Sequence, residues 1–130
     1  MFNHRSTIDV RFYELDPYNH VNHTMYLAYC EVARVEALDS RGISMTVLEE
    51  WGFQVLVADL SAKLLTSAVG GDRLEVVTDV LQVRRASTEW VQRIERNGHV
   101  IFRLSVRAAV TDLDGTPVRI PDSFRSALEA

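Results

Sequence analysis

Residues 16–34 have the sequence DPYNHVNHTMYLAYCEVAR, in which a polar loop leads directly into an apolar segment. From residue 23 onward, apolar side chains recur at steps of three and four residues, as they do on one side of an α-helix. Further apolar groups occupy the other sides through the first half, which is typical of a buried helix. The pattern predicts a helix over 23–40 that ends at Gly42, because glycine tolerates the left-handed cap conformation.

The segments on both sides of this helix have the two-residue period of β-strands. Predicted strands cover residues 6–14, 55–67, 74–81, 88–96 and 100–110. Turns are predicted at 70–72, 97–98 and 114–115, and Asn97-Gly98 is a strong hairpin signal. A short helix over 45–50 and a closing helix over 121–130, capped by Asp122 or Ser123, complete the prediction.

These elements predict one α+β domain over residues 1–130, in which a curved antiparallel sheet surrounds the first helix. A chain of 130 residues fits a single domain. The long apolar strands have one face to bury, and the first helix is the element long and apolar enough to cover it. Because a domain of this size still leaves apolar surface uncovered, a symmetric dimer is expected.

The loop ahead of the helix concentrates chemical groups, because Asp16, His20, Asn22 and His23 lie close together in it. The first N–H groups of a helix lack partners within it and carry partial positive charge. A carbonyl oxygen bound there is polarised, which stabilises a developing oxyanion. With Asn22 as N-cap, or Thr24 as the alternative, the N–H of His23 is the expected donor. Asp16 is then a candidate nucleophile, or a base toward water.

Composition narrows the classes of function. The formal net charge is −4 and Arg84-Arg85 is the one adjacent basic pair, so nucleic-acid binding is not expected. The single cysteine, Cys30, allows no internal disulfide and is expected to be a small buried hydrophobe. No cysteine or carboxylate set accompanies His20 and His23, so no metal is expected. No stretch has the ~18 apolar residues of a membrane span, and residues 1–7 lack the apolar core of a signal peptide, so a cytoplasmic location is expected.

Residues 16–34 resemble the signature of the 4-hydroxybenzoyl-CoA thioesterase-like family. That signature is an Asp, then His-Val-Asn-Asn, then Tyr, Tyr and Glu-x-Ala-Arg along the helix. Its first part is similar in plant acyl-ACP thioesterases, and Gly71-Asp72 with the valines that follow resembles the family's second block. The resemblance implies the hotdog fold and hydrolysis of acyl-CoA or acyl-carrier thioesters without a metal or redox cofactor. It also implies a homodimer or a dimer of dimers (a homotetramer), with the pocket between subunits.

The resemblance assigns catalytic roles to two residues. Asp16 matches the catalytic acid, although Asp-Pro alone also favours a turn. His23 matches the position whose backbone N–H polarises the thioester carbonyl, and it replaces the second Asn of the signature. Tyr18-Asn19 stands where many relatives carry glycine, which predicts a narrower loop or a reshaped acyl pocket.

Further candidates surround these two residues. Asn22 is expected to act by placing the helix, and His20 either bonds the loop backbone or assists catalysis. Tyr18 and Tyr26 are candidates for the acyl pocket, with the core as the alternative for Tyr26. Tyr26 lies one turn from the start of the helix, which is the reason for considering it.

Three basic residues lie on or near predicted strand ends and either face solvent or contact the phosphates of CoA: Lys63, Arg84 and Arg85. Glu31 or Glu36 is an alternative catalytic carboxylate by analogy with a second class of hotdog enzymes. Two further functions stay open beside an acyl-CoA thioesterase. They are an acyl-ACP thioesterase and a non-catalytic acyl-CoA-binding domain.

Overall fold

The computed structural model describes residues 3–130, and its elements follow the predicted order. The strands are β1 (Asn3–Asp9), β2 (Phe53–Leu64), β3 (Arg73–Val83), β4 (Ser87–Arg96) and β5 (His99–Asp112). The helices are α1 (His23–Ser40), α2 (Met45–Trp51) and α3 (Asp122–Glu129), and a 3-10 turn covers Phe12–Glu14. Within the described residues, no helix has the length and apolar character needed to cross a membrane.

The strands form one antiparallel sheet in the order β1-β3-β4-β5-β2. The buried side of α1 packs on one face of this sheet and shares a hydrophobic core with β3, β4 and β5. This is the predicted α+β hotdog architecture. The turn between β4 and β5 is also confirmed, since Asn97 and Gly98 have the positive φ angles (52° and 80°) that a tight hairpin of this kind requires.

The sheet has two ends that matter for the site. The loop end contains the end of β2, the start of β3 and the start of α1, because His20 forms a bridge with Val69 just ahead of β3. The far end contains the start of β2, the end of β3 and the start of α3, where Ile120 N–H donates to the Arg85 carbonyl. Ten residue steps along β3, at about 3.3 Å each, separate the two ends by about 33 Å.

The strand β2 forms an edge of the sheet, and much of its apolar surface is uncovered. Leu56, Leu60 and Leu64 are 42–45% exposed. On α1, Val32 and Val35 are also exposed. The expectation of a helix buried on all sides is therefore wrong for the single chain, because only one face of α1 meets the sheet.

The strand predicted over residues 6–14 ends at Asp9. Phe12, which lies within that predicted strand, is 85% exposed in the 3-10 turn. In that turn the Glu14 N–H donates to the Arg11 carbonyl (3.0 Å), and the Glu14 carboxylate accepts from the Arg11 N–H (2.8 Å). This local capping arrangement outweighs the alternating pattern.

The predicted cap of the closing helix is also wrong. Pro121 occupies the N-cap position of α3 and makes no side-chain hydrogen bond there. Asp122 lies inside the helix, and its carboxylate instead accepts from the Arg119 guanidinium (3.2 Å). Proline suits this helix start because its fixed φ of −57° needs no rearrangement.

A polar network crosses the core beside Cys30. Arg34 turns inward, and its Nη1 donates to Gln92 Oε1 (2.7 Å). The Gln92 amide then donates to the carbonyl of Cys30 (2.8 Å) and to Thr78 Oγ1 (3.0 Å). Cys30 is fully buried, as predicted, and burial raises the pKa of its thiol to about 12. Cys30 therefore stays a protonated thiol in the folded chain.

Candidate active site

Asp16 organises the loop between the 3-10 turn and α1. Its Oδ1 atom accepts from the backbone N–H groups of Tyr18 (2.8 Å) and His20 (3.0 Å). Its own N–H donates to the His20 carbonyl (2.6 Å), and its carbonyl accepts from the Asn19 N–H (3.1 Å). Asn19 has a φ of 63°, a conformation that asparagine tolerates better than most residues. Asp16 is thus a turn residue, but its Oδ2 atom has no hydrogen-bond partner within residues 3–130 and is available for chemistry.

The loop is fixed against the segment that joins β2 to β3. Val21 N–H donates to the Ala68 carbonyl (2.8 Å), and His20 forms a bridge with Val69. Ala68 N–H in turn donates to the hydroxyl oxygen of Tyr26 (2.9 Å). Tyr26 is fully buried in the single chain, which agrees with the alternative that it belongs to the core, and its contact with substrate stays a prediction. Its hydroxyl oxygen accepts from Ala68 and so supports the segment against which the loop packs.

Asp72 and Gly70 shape that joining segment. Asp72 Oδ2 accepts from Val69 N–H (2.9 Å) and from Arg96 Nη1 (2.8 Å). Partial burial acts to raise the pKa of Asp72, but these two donors hold it below its ordinary value. Gly70 lies against the loop so closely that an added Cβ atom would sit 3.1 Å from Leu15 Cδ1. A side chain at Gly70 would therefore require the tip of the Leu15 side chain to shift by a few tenths of an ångström.

Asn22 caps α1 as predicted. Its Oδ1 atom accepts from the N–H of Thr24 (3.0 Å) and from the Thr24 hydroxyl (2.8 Å). Its carbonyl accepts from Met25 N–H (2.9 Å), which closes the first turn. The N–H of His23 has no acceptor among residues 3–130. One unsatisfied donor therefore remains at the positive end of an 18-residue helix.

The two imidazoles of the loop are exposed. His20 holds the loop through its backbone groups, while the rings of His20 and His23 make no hydrogen bond with the described residues. Tyr18, at the tip of the loop, is 80% exposed and free to contact a ligand. Within residues 3–130, no group of three or more His, Cys, Asp or Glu side chains is placed to hold a metal ion.

The three basic candidates do not lie together. Lys63 is exposed near the end of β2, at the loop end of the sheet. Arg84 and Arg85 are exposed in the turn between β3 and β4, at the far end. Arg84 pairs with Glu89 (2.9 Å). Within one chain these two arginines are thus about a sheet length away from Asp16.

The alternative carboxylates on α1 are also distant from the loop. Glu31 lies eight residues along the helix from His23, which is about 12 Å. Glu36 lies further along, with Oε2 at 3.9 Å from His4 Nε2. Both side chains are on the exposed side of α1, so neither shares the helix end with Asp16.

A buried pair near the loop escaped the sequence reasoning. Glu14 is 4% exposed, and its Oε1 atom accepts from the hydroxyl of Tyr29 on α1 (2.9 Å). Burial, and then the neighbouring Glu14, raise the pKa of Tyr29, so its hydroxyl stays protonated and donates. The available signal was the position of Tyr29 on the apolar side of the helix, because a buried tyrosine hydroxyl usually needs a partner.

Two cavities of the single chain lie away from the loop. One of about 110 Å³ lies between α1 and β2, with Val35 and Val57 in its wall. One of about 330 Å³ lies on the outer face of the sheet, beside Leu81 and Val91. Loop residues line neither of these two cavities, and Asp16 itself is half-buried.

Comparisons with known proteins agree with this fold and with the loop signature. The profile of the family described as "Thioesterase-like superfamily" matches residues 10–128. The chain is 30% identical to "Acyl-CoA thioesterase YbgC" of Haemophilus influenzae, over 92% of this chain and 90% of that protein. It is 32% identical to the chloroplastic "Acyl-acyl carrier protein thioesterase ATL3" of Arabidopsis thaliana, over 95% of this chain but only 66% of that longer protein.

The chain is also similar in fold and sequence to a solved structure of a thioesterase. It is described as a thioesterase complexed with coenzyme A and Zn from Thermus thermophilus. The TM-score is 0.85 at 29% identity, with 97% of this chain and 91% of that chain covered.

Proposed function

Because the chain belongs to the thioesterase-like superfamily, we propose that it is an acyl-CoA thioesterase that hydrolyses a thioester to a free acid and CoA. One observation carries the proposal. The Asp16 carboxylate, with Oδ2 free, and the unsatisfied N–H of His23 lie on the same short stretch at the start of α1. The acyl-CoA thioesterase of Haemophilus supports CoA as the thiol carrier.

In the first route, Asp16 is a general base. The thioester carbonyl oxygen accepts from the His23 N–H, so the carbonyl carbon becomes more electrophilic. Asp16 Oδ2 takes a proton from a water whose oxygen attacks that carbon. The tetrahedral intermediate then collapses, the C–S bond breaks, and the departing thiolate takes the proton from Asp16. The products are the free acid, CoA and an unchanged carboxylate.

In the second route, Asp16 is a nucleophile. Its carboxylate attacks the carbonyl carbon, the CoA thiolate leaves, and a mixed anhydride joins the acyl group to Asp16. Water then hydrolyses the anhydride, which releases the free acid and regenerates the Asp16 carboxylate, and the remaining proton of the water goes to the CoA thiolate. Rapid-quench mass spectrometry separates the routes, because only the second adds the mass of the acyl group to the chain.

The loop residues support either route. Asn22 holds the start of α1 through its bond to Thr24, so its effect on activity comes through helix placement. The backbone N–H of His20 donates to Asp16 Oδ1, and this hydrogen bond keeps the loop closed. Tyr18 is exposed at the tip of the loop, where it would line the entrance for the acyl group.

We further propose that the working unit is a homodimer formed by the β2 edges, with a dimer of dimers (homotetramer) as its larger form. A long apolar edge strand is a ready surface for pairing with another chain. A two-fold axis perpendicular to the sheet pairs the two β2 strands in antiparallel fashion. The far end of one sheet then lies beside the loop end of the other.

This pairing gives the distant arginines a role. Arg84 and Arg85 of the partner subunit would lie at the same end of the joined sheet as Asp16 and Lys63. Guanidinium groups suit phosphates because they donate two parallel hydrogen bonds. The substrate would then extend from Asp16 of one subunit toward the arginines of the other, across the interface.

An acyl-ACP thioesterase is the second candidate, favoured by the Arabidopsis relative. An acidic carrier protein needs a basic docking face. Lys63 and Arg103 are cross-strand neighbours on the outer face, and neither has an acidic partner within residues 3–130. The ratio of kcat/KM for matched acyl-CoA and acyl-ACP substrates decides between the two carriers. A cytoplasmic location stays a prediction of the sequence.

The test is release of free thiol from a panel of acyl-CoA substrates that differ in chain length and aromatic character. We expect turnover with at least one of them. Because Cys30 is fully buried, the native chain should contribute no background to a thiol reagent. Binding of acyl-CoA without any thiol release would instead identify a non-catalytic acyl-CoA-binding domain.

A further inference from the structure

Glu14 is the one charged side chain that is fully enclosed in residues 3–130, and neither catalytic route uses it. It ends the 3-10 turn and lies two residues ahead of Asp16. A buried carboxylate is costly unless several donors surround it. Its contacts therefore indicate which parts of the fold it holds together.

The carboxylate of Glu14 joins the chain ahead of the loop to the body of α1. Oε1 accepts from the N–H of Arg11 (2.8 Å) and from the hydroxyl of Tyr29 (2.9 Å). Oε2 accepts from Arg11 Nη1 at 3.4 Å, a weaker contact with a half-exposed guanidinium. The Glu14 carbonyl accepts from the N–H of Asn22 (2.8 Å), the N-cap of α1. Glu14 thus contacts both the entry to the loop and its exit.

The loop has several internal bonds but few that orient it on α1. The bridge between Leu15 and Val21 and the bonds around Asp16 lie within the loop. The bond of Val21 to Ala68 fixes the loop to the segment behind it, not to the helix. Tyr29 lies six residues beyond His23, about 9 Å along the helix. The bond from Tyr29 to Glu14 therefore sets how α1 is rotated relative to the loop.

We propose that Glu14 is a positioning residue, which through Tyr29 holds the Asp16 carboxylate in line with the free N–H at the start of α1. This proposal deepens the proposed function and rests on it. A hydrogen bond to a carboxylate is stronger than one between two neutral groups, so the 2.9 Å contact with Tyr29 resists displacement. A shift of about 1 Å between reacting groups can cost about a hundredfold in rate.

Four variants test this role. Glu14→Ala removes the acceptor, and Tyr29→Phe removes only the donor, so it serves if the alanine variant folds poorly. Glu14→Gln keeps an oxygen for Tyr29 and Arg11, and is the conservative rescue. Ile120→Val is the matched control, because it removes one buried methylene at the far end of the sheet.

Two measurements are made on each variant well below its unfolding temperature. The first is kcat and KM for the best acyl-CoA of the panel. We expect Tyr29→Phe and Glu14→Ala to lower kcat at least tenfold with KM within threefold of wild type, and Glu14→Gln to stay within threefold in both. The second is hydrogen exchange of the amides of Tyr18, His20 and Asn22, which should become at least tenfold faster in the first two variants and unchanged in Ile120→Val.

The outcomes are distinguishable. A kcat in Tyr29→Phe and Glu14→Ala equal to that of Ile120→Val, or loop exchange no faster than in that control, overturns the positioning role. A wild type that hydrolyses no acyl-CoA or acyl-ACP overturns the proposed function instead. In that case the exchange of the loop amides still decides whether Glu14 and Tyr29 hold the loop.

Discussion

Replacing Asp16 separates its chemical role from its structural one. In Asp16→Asn the amide oxygen can still accept from the N–H groups of Tyr18 and His20, so the loop keeps its internal bonds. The charge and the basic Oδ2 atom are lost. We expect kcat to fall at least about a hundredfold, which corresponds to about 2.7 kcal/mol in the activation barrier. The melting temperature should change by less than about 2 °C, as for most surface substitutions.

Asp16→Ala removes the same chemistry and the two loop bonds as well. At about 1 kcal/mol for each hydrogen bond, the free energy of unfolding should fall by about 2 kcal/mol. For a chain of 130 residues that is a drop of about 7 °C in melting temperature. The two variants should therefore be similarly inactive but differently stable.

Asp112 offers a matched control at the far end of the sheet. Its Oδ1 atom accepts from the N–H groups of Asp114 (2.9 Å) and Thr116 (2.9 Å), which is the arrangement that Asp16 makes in the loop. Asp112→Ala should lower the melting temperature to a similar extent as Asp16→Ala. Its thiol release should equal that of wild type.

The assays are thiol release from acyl-CoA and thermal unfolding followed by circular dichroism. An Asp16→Asn variant that keeps more than a tenth of the wild-type kcat would refute the role of the carboxylate. Equal melting temperatures for the Asn and Ala variants would refute the role of its Oδ1 atom in the loop.

Three further predictions concern the rest of the molecule. Leu60→Glu places a charge on the β2 edge and should give a monomer with little activity, while the control Leu81→Glu, on β3, should still form the dimer. Sedimentation velocity measures the oligomeric state of both variants. A dimeric Leu60→Glu would exclude the β2 interface. Burial raises the pKa of the Cys30 thiol to about 12, so Cys30 should resist alkylation in the folded chain and react fully in denaturant. Mass spectrometry measures the extent of alkylation, and rapid labelling of the native protein would contradict the burial of Cys30. The pKa of Asp72 is below its ordinary value in the folded chain, so its contribution to stability is complete above about pH 4 and is lost as pH falls further. Urea unfolding between pH 6 and pH 2.5 should therefore show a shallower decline for Asp72→Asn than for wild type, and parallel curves would count against the ion pair with Arg96.

Local chemistry explains which features could be read from the sequence. The bounds of α1, its cap at Asn22 and the hairpin at Asn97-Gly98 depend on residues that are close together in the chain, and each was predicted correctly. The expected strand at 6–14 failed at the same local level. There the capping contacts of Glu14 with Arg11 replace alternation with a turn.

The sequence by itself determined the order of the elements and the position of Asp16 ahead of a helix start, because periodicity and capping depend on near neighbours. Only the tertiary structure decided that Glu14 meets Tyr29, that Arg34 turns toward Gln92, and that Arg84 lies a sheet length away from Asp16. These relations join residues from separate elements. They follow from the register and packing of the strands against α1, since burial forces each polar group to find a partner in space rather than along the chain.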